Sequence, residues 1–298
     1  MKPRRGNSAA WPALALPYFW LLVFFLAPFL IVAAISLGQS AIGIPPYTPP
    51  LVFAGGPVPA LAVNLGNYAL LLGDSLYIRA YLNSLAFAGG ATLLCLLLGY
   101  PMAYAIARAP RAWRNPLLML VILPFWTSFL IRVYAWIGIL KPNGLINNLL
   151  LAGGLVDQPL PLLNNAFSVE LALVYSYLPF MILPLYATLE RLDPVLLEAA
   201  TDLGCRPFRA FLAVTLPLSL PGIAAGCLLV FIPAVGEFVI PDLLGGPDTL
   251  MIGKVLWDEF FINRDWPVAS AVAIAMLVLL VAPIALAQRA LGRGGEAA

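Results

Sequence analysis

Few residues of this chain can do polar chemistry, so the places where they stand carry information. Arg132 and Glu237 are charged residues inside long apolar runs. An ionisable side chain there is expensive, and a functional role or a specific partner is the default explanation. Trp126, Tyr134 and Trp136 share the first of these runs with Arg132, and Asp242, Trp257, Asp258 and Glu259 follow Glu237. Carboxylates beside aromatic faces are the groups that can replace water around an organic cation. These residues form a candidate substrate path; the plain alternative is an interfacial aromatic belt with solvated outer acids. A second cluster, EAATDLGCRPFRAFLAVTLP at 198–217, gathers acids and arginines between two apolar runs and contains no catalytic pair. The chain has no histidine, which excludes His-based acid–base catalysis and His-ligated metal sites. Cys95, Cys205 and Cys227 are odd in number and two lie in apolar runs. That pattern fits small apolar packing rather than a disulfide framework or a metal site.

The elements that must hold these residues follow from composition. The chain is 62% hydrophobic and 10% charged, where soluble domains are roughly half apolar and about a quarter charged. A bilayer must therefore absorb most of the apolar surface. A net charge of +2 is too small to suggest nucleic acid as a partner. Six stretches are long enough to cross a hydrocarbon core: approximately 14–36, 82–107, 117–140, 167–189, 219–243 and 266–287. Backbone groups in lipid must be satisfied internally, so all six are expected to be helices, giving an all-α membrane protein read as one membrane domain over 1–298. Pro28, Pro124, Pro179, Pro184 and Pro233 fall inside spans and are expected to bend them. The first apolar run is longer than the core of a signal peptide and is taken as a retained span.

Lys and Arg set the direction. With the N-terminus inside, one side carries Lys2, Arg4, Arg5, Arg108, Arg111, Arg114, Arg191, Arg206, Arg209, Arg289 and Arg293. The other carries Arg79, Lys141, Lys254 and Arg264. The excess puts both termini and the 190–218 elbow in the cytoplasm. Outside, the uncharged 38–66 loop is expected to form an ordered cap, and 244–265 a short surface helix. Within the elbow, Asp193 and Pro194 read as a helix start and Gly204 as its end. Pro207 opens a second short helix over 208–215, which Pro217 and Pro221 are expected to stop. Such a helix–turn–helix suits docking to another protein. Arg132 and Glu237 lie at similar depths in their spans and are expected to meet in at least one state of the protein.

The elbow resembles the EAA loop, EAA-x3-G-x9-I-x-LP, of ATP-binding-cassette importer permeases. Glu198, Ala199, Ala200, Gly204, Leu216 and Pro217 match at every spacing, and Val214 replaces the usual Ile. Further stretches are similar to the spermidine/putrescine branch, and most of all to its putrescine-type subunits. These are Asn83-Ser84-Leu85, 98–104 (LGYPMAY), 123–128 (LPFWTS), 132–136 (RVYAW), 144–148 (GLINN), 231–248 and 264–272. The resemblance implies a six-helix type I importer permease without catalysis of its own, in a bacterial inner membrane. Glu198, Ala199, Ala200, Asp202, Gly204, Leu216 and Pro217 would then couple it to a cytoplasmic ATPase dimer, which holds the ATP and Mg. It also implies a second homologous permease and an extracytoplasmic binding protein as partners, and a polyamine as solute. No G-x-x-x-x-G-K-[ST] phosphate loop occurs in this chain, so ATP binds elsewhere. Relatives with an EAA loop also carry iron, oxyanions or amino-acid-like solutes, and a self-contained channel or secondary carrier is the further alternative. A carrier would be expected to have internal repeats, and a membrane enzyme nucleophiles or acid–base pairs beyond Arg132 and Glu237.

Overall fold

A computed structural model describes residues 11–52, 60–61 and 63–295. The helices in chain order are α1 (Trp11–Leu21), α2 (Ala27–Ser36), α3 (Gly66–Gly73), α4 (Ser75–Arg108), α5 (Arg111–Ile122), α6 (Phe129–Leu140) and α7 (Leu145–Ala152). They continue with α8 (Ala166–Leu189), α9 (Val195–Asp202), α10 (Pro207–Ala210), α11 (Leu216–Val235), α12 (Val239–Leu244), α13 (Ile252–Trp257) and α14 (Trp266–Gly295). Wide turns of π-helix link α1 to α2 and α10 to α11, and another follows α13. Five stretches are long and apolar enough to cross a membrane: Ala15–Ser36, Ser75–Arg108, Phe129–Ala152, Ala166–Leu189 and Pro207–Val235. Trp266–Val281 is a shorter apolar helix. At about 1.5 Å per residue, the 24 residues of α8 are long enough to pass through a hydrocarbon core.

Three expected boundaries move, each for a local reason. The second span begins at Ser75, seven residues before the expected 82. The third is not one helix. Pro124 sits in a 3₁₀ turn, Leu123–Trp126, and Thr127 is extended (ψ 151) before the helix restarts at Phe129. Proline lacks the amide and crowds the preceding turn, so the α-ladder ends there. The fifth span begins at Pro207 and runs through Pro217 and Pro221, which were expected to end a separate short helix before it. The π-turn Phe211–Thr215 lies just before Pro217, and the Leu216 amide bonds five residues back to Phe211 O. A widened turn relieves the clash that proline causes in a regular helix.

The chain divides into two compact units, Met1–Ser75 with Leu256–Ala298, and Leu76–Val255. In the first, α14 packs on α2 and α3. The expected cap contains two small antiparallel hairpins, β1 (Gln39–Ser40) with β2 (Tyr47–Thr48), and β3 (Leu51–Val52) with β4 (Ala60–Leu61). The buried Asn67 side chain ties the start of this cap to α2, donating to the carbonyls of Ser36 at 2.8 Å and Gly38 at 3.0 Å. Lys2, Arg4 and Arg5 lie outside the described residues.

The second unit is organised around α8 and α11. Gly222 and Gly226 make their close approach feasible: a Cβ on Gly226 would lie 2.7 Å from Met181 Sδ, and one on Gly222 would meet Thr188 and the Pro184 carbonyl. Small residues one turn apart are the usual means by which membrane helices bring their backbones together. Two of the sequence motifs act as pins. Asn83 Nδ2 donates to the carbonyls of Asp248 and Leu250, and Ser84 Oγ accepts the Ile252 amide at 2.8 Å. Buried Asn147 bonds both ways with the Leu160 backbone.

Candidate functional site

The elbow is built by short-range punctuation. The Asp193 carboxylate accepts the Val195 amide at 3.0 Å and starts α9. At the other end Gly204 has φ +78, the Gly204 amide bonds to Thr201 O and the Cys205 amide to Ala200 O. That is a left-handed helix cap, where glycine avoids the Cβ penalty. α10 then leads straight into α11. Glu198, Ala199 and Asp202 are exposed on α9, Ala200 is half-buried, and Leu216 and Pro217 open α11. Apolar side chains face outward beside them: Leu203 is 89% exposed and Phe208 72%. Arg114 Nη1 bonds Glu190 Oε1 at 3.2 Å, fastening the α8–α9 junction to α5. No proton-transfer pair is present among these described residues, and the surface is suited to docking.

The second site lies where two helices are interrupted. Span three breaks at 123–128, and α11 ends at Val235 so that Gly236–Phe238 precedes α12. Gly253 of α13 closes on this second break, since a Cβ there would collide with the carbonyls of Gly236 and Glu237. Glu237, 9% exposed, is held by three donors. Tyr177 OH donates to Oε2 at 2.7 Å, and the amides of Phe238 and Val239 donate to Oε1 at 3.1 and 3.0 Å. The Tyr177 ring neighbours Phe180, centroids 6.2 Å apart, and Phe180 meets Phe125 edge-on at 5.1 Å. Phe125 lies in the 123–128 break, and the Arg132 guanidinium sits over its ring at 5.0 Å and near Phe129 at 5.8 Å. A row of aromatic rings therefore connects the two buried charges.

The expected Arg132–Glu237 ion pair is not formed. Glu237 is satisfied by hydroxyl and amide donors, whereas Arg132 Nε and Nη1 are buried without a hydrogen-bond partner and the cation rests on rings instead. Interrupted helices whose free backbone groups and charges face each other are the usual way a transporter builds a solute site.

Comparison with known proteins gives the family of the chain. A family model described as "Binding-protein-dependent transport system inner membrane component" matches residues 95–294. The chain belongs to this family. It is 43% identical over 276 residues to the spermidine/putrescine transport system permease protein PotB of Haemophilus influenzae, covering 93% of this chain and 92% of that one. It is 44% identical over 220 residues to PotB of Escherichia coli K12, covering 74% and 80%. A crystal structure of a bacterial alginate ABC transporter, in complex with a periplasmic protein bound to an alginate pentasaccharide, shares the fold. Its TM-score is 0.64 with 20% identity, over 94% of this chain and 93% of that one.

In this inner-membrane permease the sequence-expected path residues are distributed over both units. Trp126 and Tyr134 are exposed, at 75% and 59%, and Trp136 packs edge-on against Tyr175 at 5.4 Å. Asp242 is paired with Lys254 at 2.8 Å. In the first unit, Glu259 accepts from Asn263 at 3.0 Å, Trp257 stacks near Phe261, and Asp258 opens the π-turn after α13. The structure adds Tyr177, Phe180 and Phe125, none of which periodicity marks as special. It also adds Glu170, an acid four residues into α8 whose Oε1 is buried without a partner and lies against Gly90. The sequence signal for Glu170 was available, but so near a helix end it reads as a boundary acid.

Proposed function

We propose that this permease passes a polyamine of the putrescine or spermidine type into the cytoplasm, with 1–298 acting as one membrane domain. Glu237 carries the reading: a buried carboxylate, fixed by Tyr177 and two amides, and joined through the Tyr177 ring to Phe180 and then Phe125. An alkylammonium sheds water only where a carboxylate and aromatic rings replace it. Arg132 on the Phe125 ring occupies the kind of place a second ammonium would take, so solute and guanidinium compete for the same row of rings. The names of the PotB relatives support the same solute class.

The elbow is the handle for a separate cytoplasmic ATPase, with Glu198, Ala199, Ala200, Asp202, Gly204, Leu216 and Pro217 at the contact. A second, homologous permease completes the pathway, and an extracytoplasmic binding protein delivers the solute. Both termini and the elbow then face the cytoplasm. Uptake in vesicles reconstituted with these partners tests the solute: labelled putrescine or spermidine should enter only with the binding protein and ATP. Equal entry of an unrelated amino acid would overturn it. Labelling of Cys205 by an impermeant maleimide in inside-out but not right-side-out vesicles tests the orientation.

A further inference from the structure

Two adjoining cavities open at the elbow end of the second unit. One, of 380 Å³, is lined by Met102, Ala105 and Ile106 of α4 and by Leu117, Leu120 and Val121 of α5, and its walls are apolar. The other, 310 Å³, is lined among others by Arg108, Arg111, Arg114, Glu190, Leu192 and Pro194. They follow one another along both helices: Ile106 is succeeded by Ala107 and Arg108, and Leu117 stands one turn after Arg114.

The basic cavity holds three guanidinium groups against one carboxylate. Arg114 is engaged with Glu190 and with the Ala109 carbonyl. Arg108 lies over the Tyr104 ring at 5.4 Å, and Arg111 makes no hydrogen bond or ion pair among the described residues. Trp113, 63% exposed, stands between Arg111 and Arg114. Tryptophan beside arginine is the composition of a membrane–water interface, where a ring sits at headgroup level. A groove of aliphatic side chains ending in a cluster of arginines matches an anionic lipid in both halves: hydrocarbon in the groove, phosphate in the cluster.

We propose that the cleft between α4 and α5 binds an anionic phospholipid, with its phosphate on Arg108, Arg111 and Arg114 and an acyl chain in the apolar groove. Leu192 and Pro194, at the root of the elbow, line the headgroup cavity, so the bound lipid touches the start of the elbow. The site rests on the membrane-spanning character of α4 and α8 and is independent of which solute is carried.

The test uses the assembled transporter in nanodiscs of phosphatidylcholine with a minor fraction of phosphatidylglycerol, then counts lipid retained after detergent extraction. The unmodified protein should retain phosphatidylglycerol selectively. Arg108→Gln with Arg111→Gln should lower that retention by roughly tenfold or more, the scale of two cations at an anionic surface. Ala105→Trp, which fills the groove and leaves the arginines, should lower it as well. No preference over phosphatidylcholine overturns the proposal. Retention unaffected by Ala105→Trp but abolished by millimolar inorganic phosphate means an anion site without a lipid, which also overturns it. Retention by the permeases alone that is lost in the transporter assembled with its ATPase assigns the arginines to the ATPase interface and overturns it too.

Discussion

The elbow and the Glu237 break are both interruptions of apolar helix, yet they are specified in different ways. The elbow is set by neighbours in sequence: Asp193 bonds two residues on, the Cys205 amide bonds five back, and Gly204 supplies the positive φ. Its side chains point outward, with Leu203 and Phe208 exposed. The Glu237 break takes its outer donor from Tyr177, 60 residues away, and its rings from α8 and from the 123–128 interruption. It faces inward, and Gly253 closes over its backbone. One region is a local fold with an exposed apolar and charged face; the other is a convergence of distant segments around a charge. Mutations should therefore separate coupling from solute passage.

The largest effect is expected from Glu237→Gln, which removes the buried charge and leaves the shape. Polyamine uptake, measured as kcat/KM in reconstituted vesicles, should fall about a hundredfold, the scale of losing charge-assisted bonds at a desolvated site. Insertion and ATPase binding should persist. Uptake within a few-fold of normal would remove Glu237 from the path.

Gly204→Val should act on the other side of the comparison. A β-branched residue in the left-handed region is strained, so the turn after α9 changes shape while the spans remain. Import and co-purification of the ATPase should both drop about tenfold, with unaltered insertion. Normal uptake by this variant would separate the elbow from coupling.

Tyr177→Phe sharpens the inner site. It removes one donor to Glu237 and keeps the ring, so a fall of about fivefold is expected, seen more in KM than in kcat and without loss of the ATPase. An equal loss of ATPase binding would mean that Tyr177 supports the fold as a whole.

The smallest effect belongs to Asp242→Asn combined with Glu259→Gln. Asp242 is exposed and held by Lys254, and Glu259 accepts from Asn263; an exposed ion pair contributes little. Uptake should change by less than about threefold. A large loss would return these two carboxylates to the solute path.

The sequence by itself determined what depends on near neighbours and on composition. Apolar runs of about twenty residues must be helical in lipid, and the spans near 14–36 and 167–189 are recovered closely. The helix expected from 266 starts there with an apolar stretch, Trp266–Val281, shorter than the other spans. The frame from Glu198 to Pro217 gave both the turn at Gly204 and the family, because its spacing is read along one short segment. Even so, Pro217 was misjudged as a stop, since the π-turn that accommodates it depends on how the whole 207–235 helix is wound. The partners of the buried charges were decided by tertiary structure alone. Counted along the expected spans, Arg132 and Glu237 came at similar depths, and their pairing was an expectation from charge. Packing instead put Tyr177 and two backbone amides on the carboxylate and placed phenylalanine rings under the guanidinium. Which of several suitable groups meets a buried charge depends on helix rotation, on the breaks at Pro124 and Gly236, and on side-chain volumes supplied by segments far apart in the chain. No local spacing records those quantities.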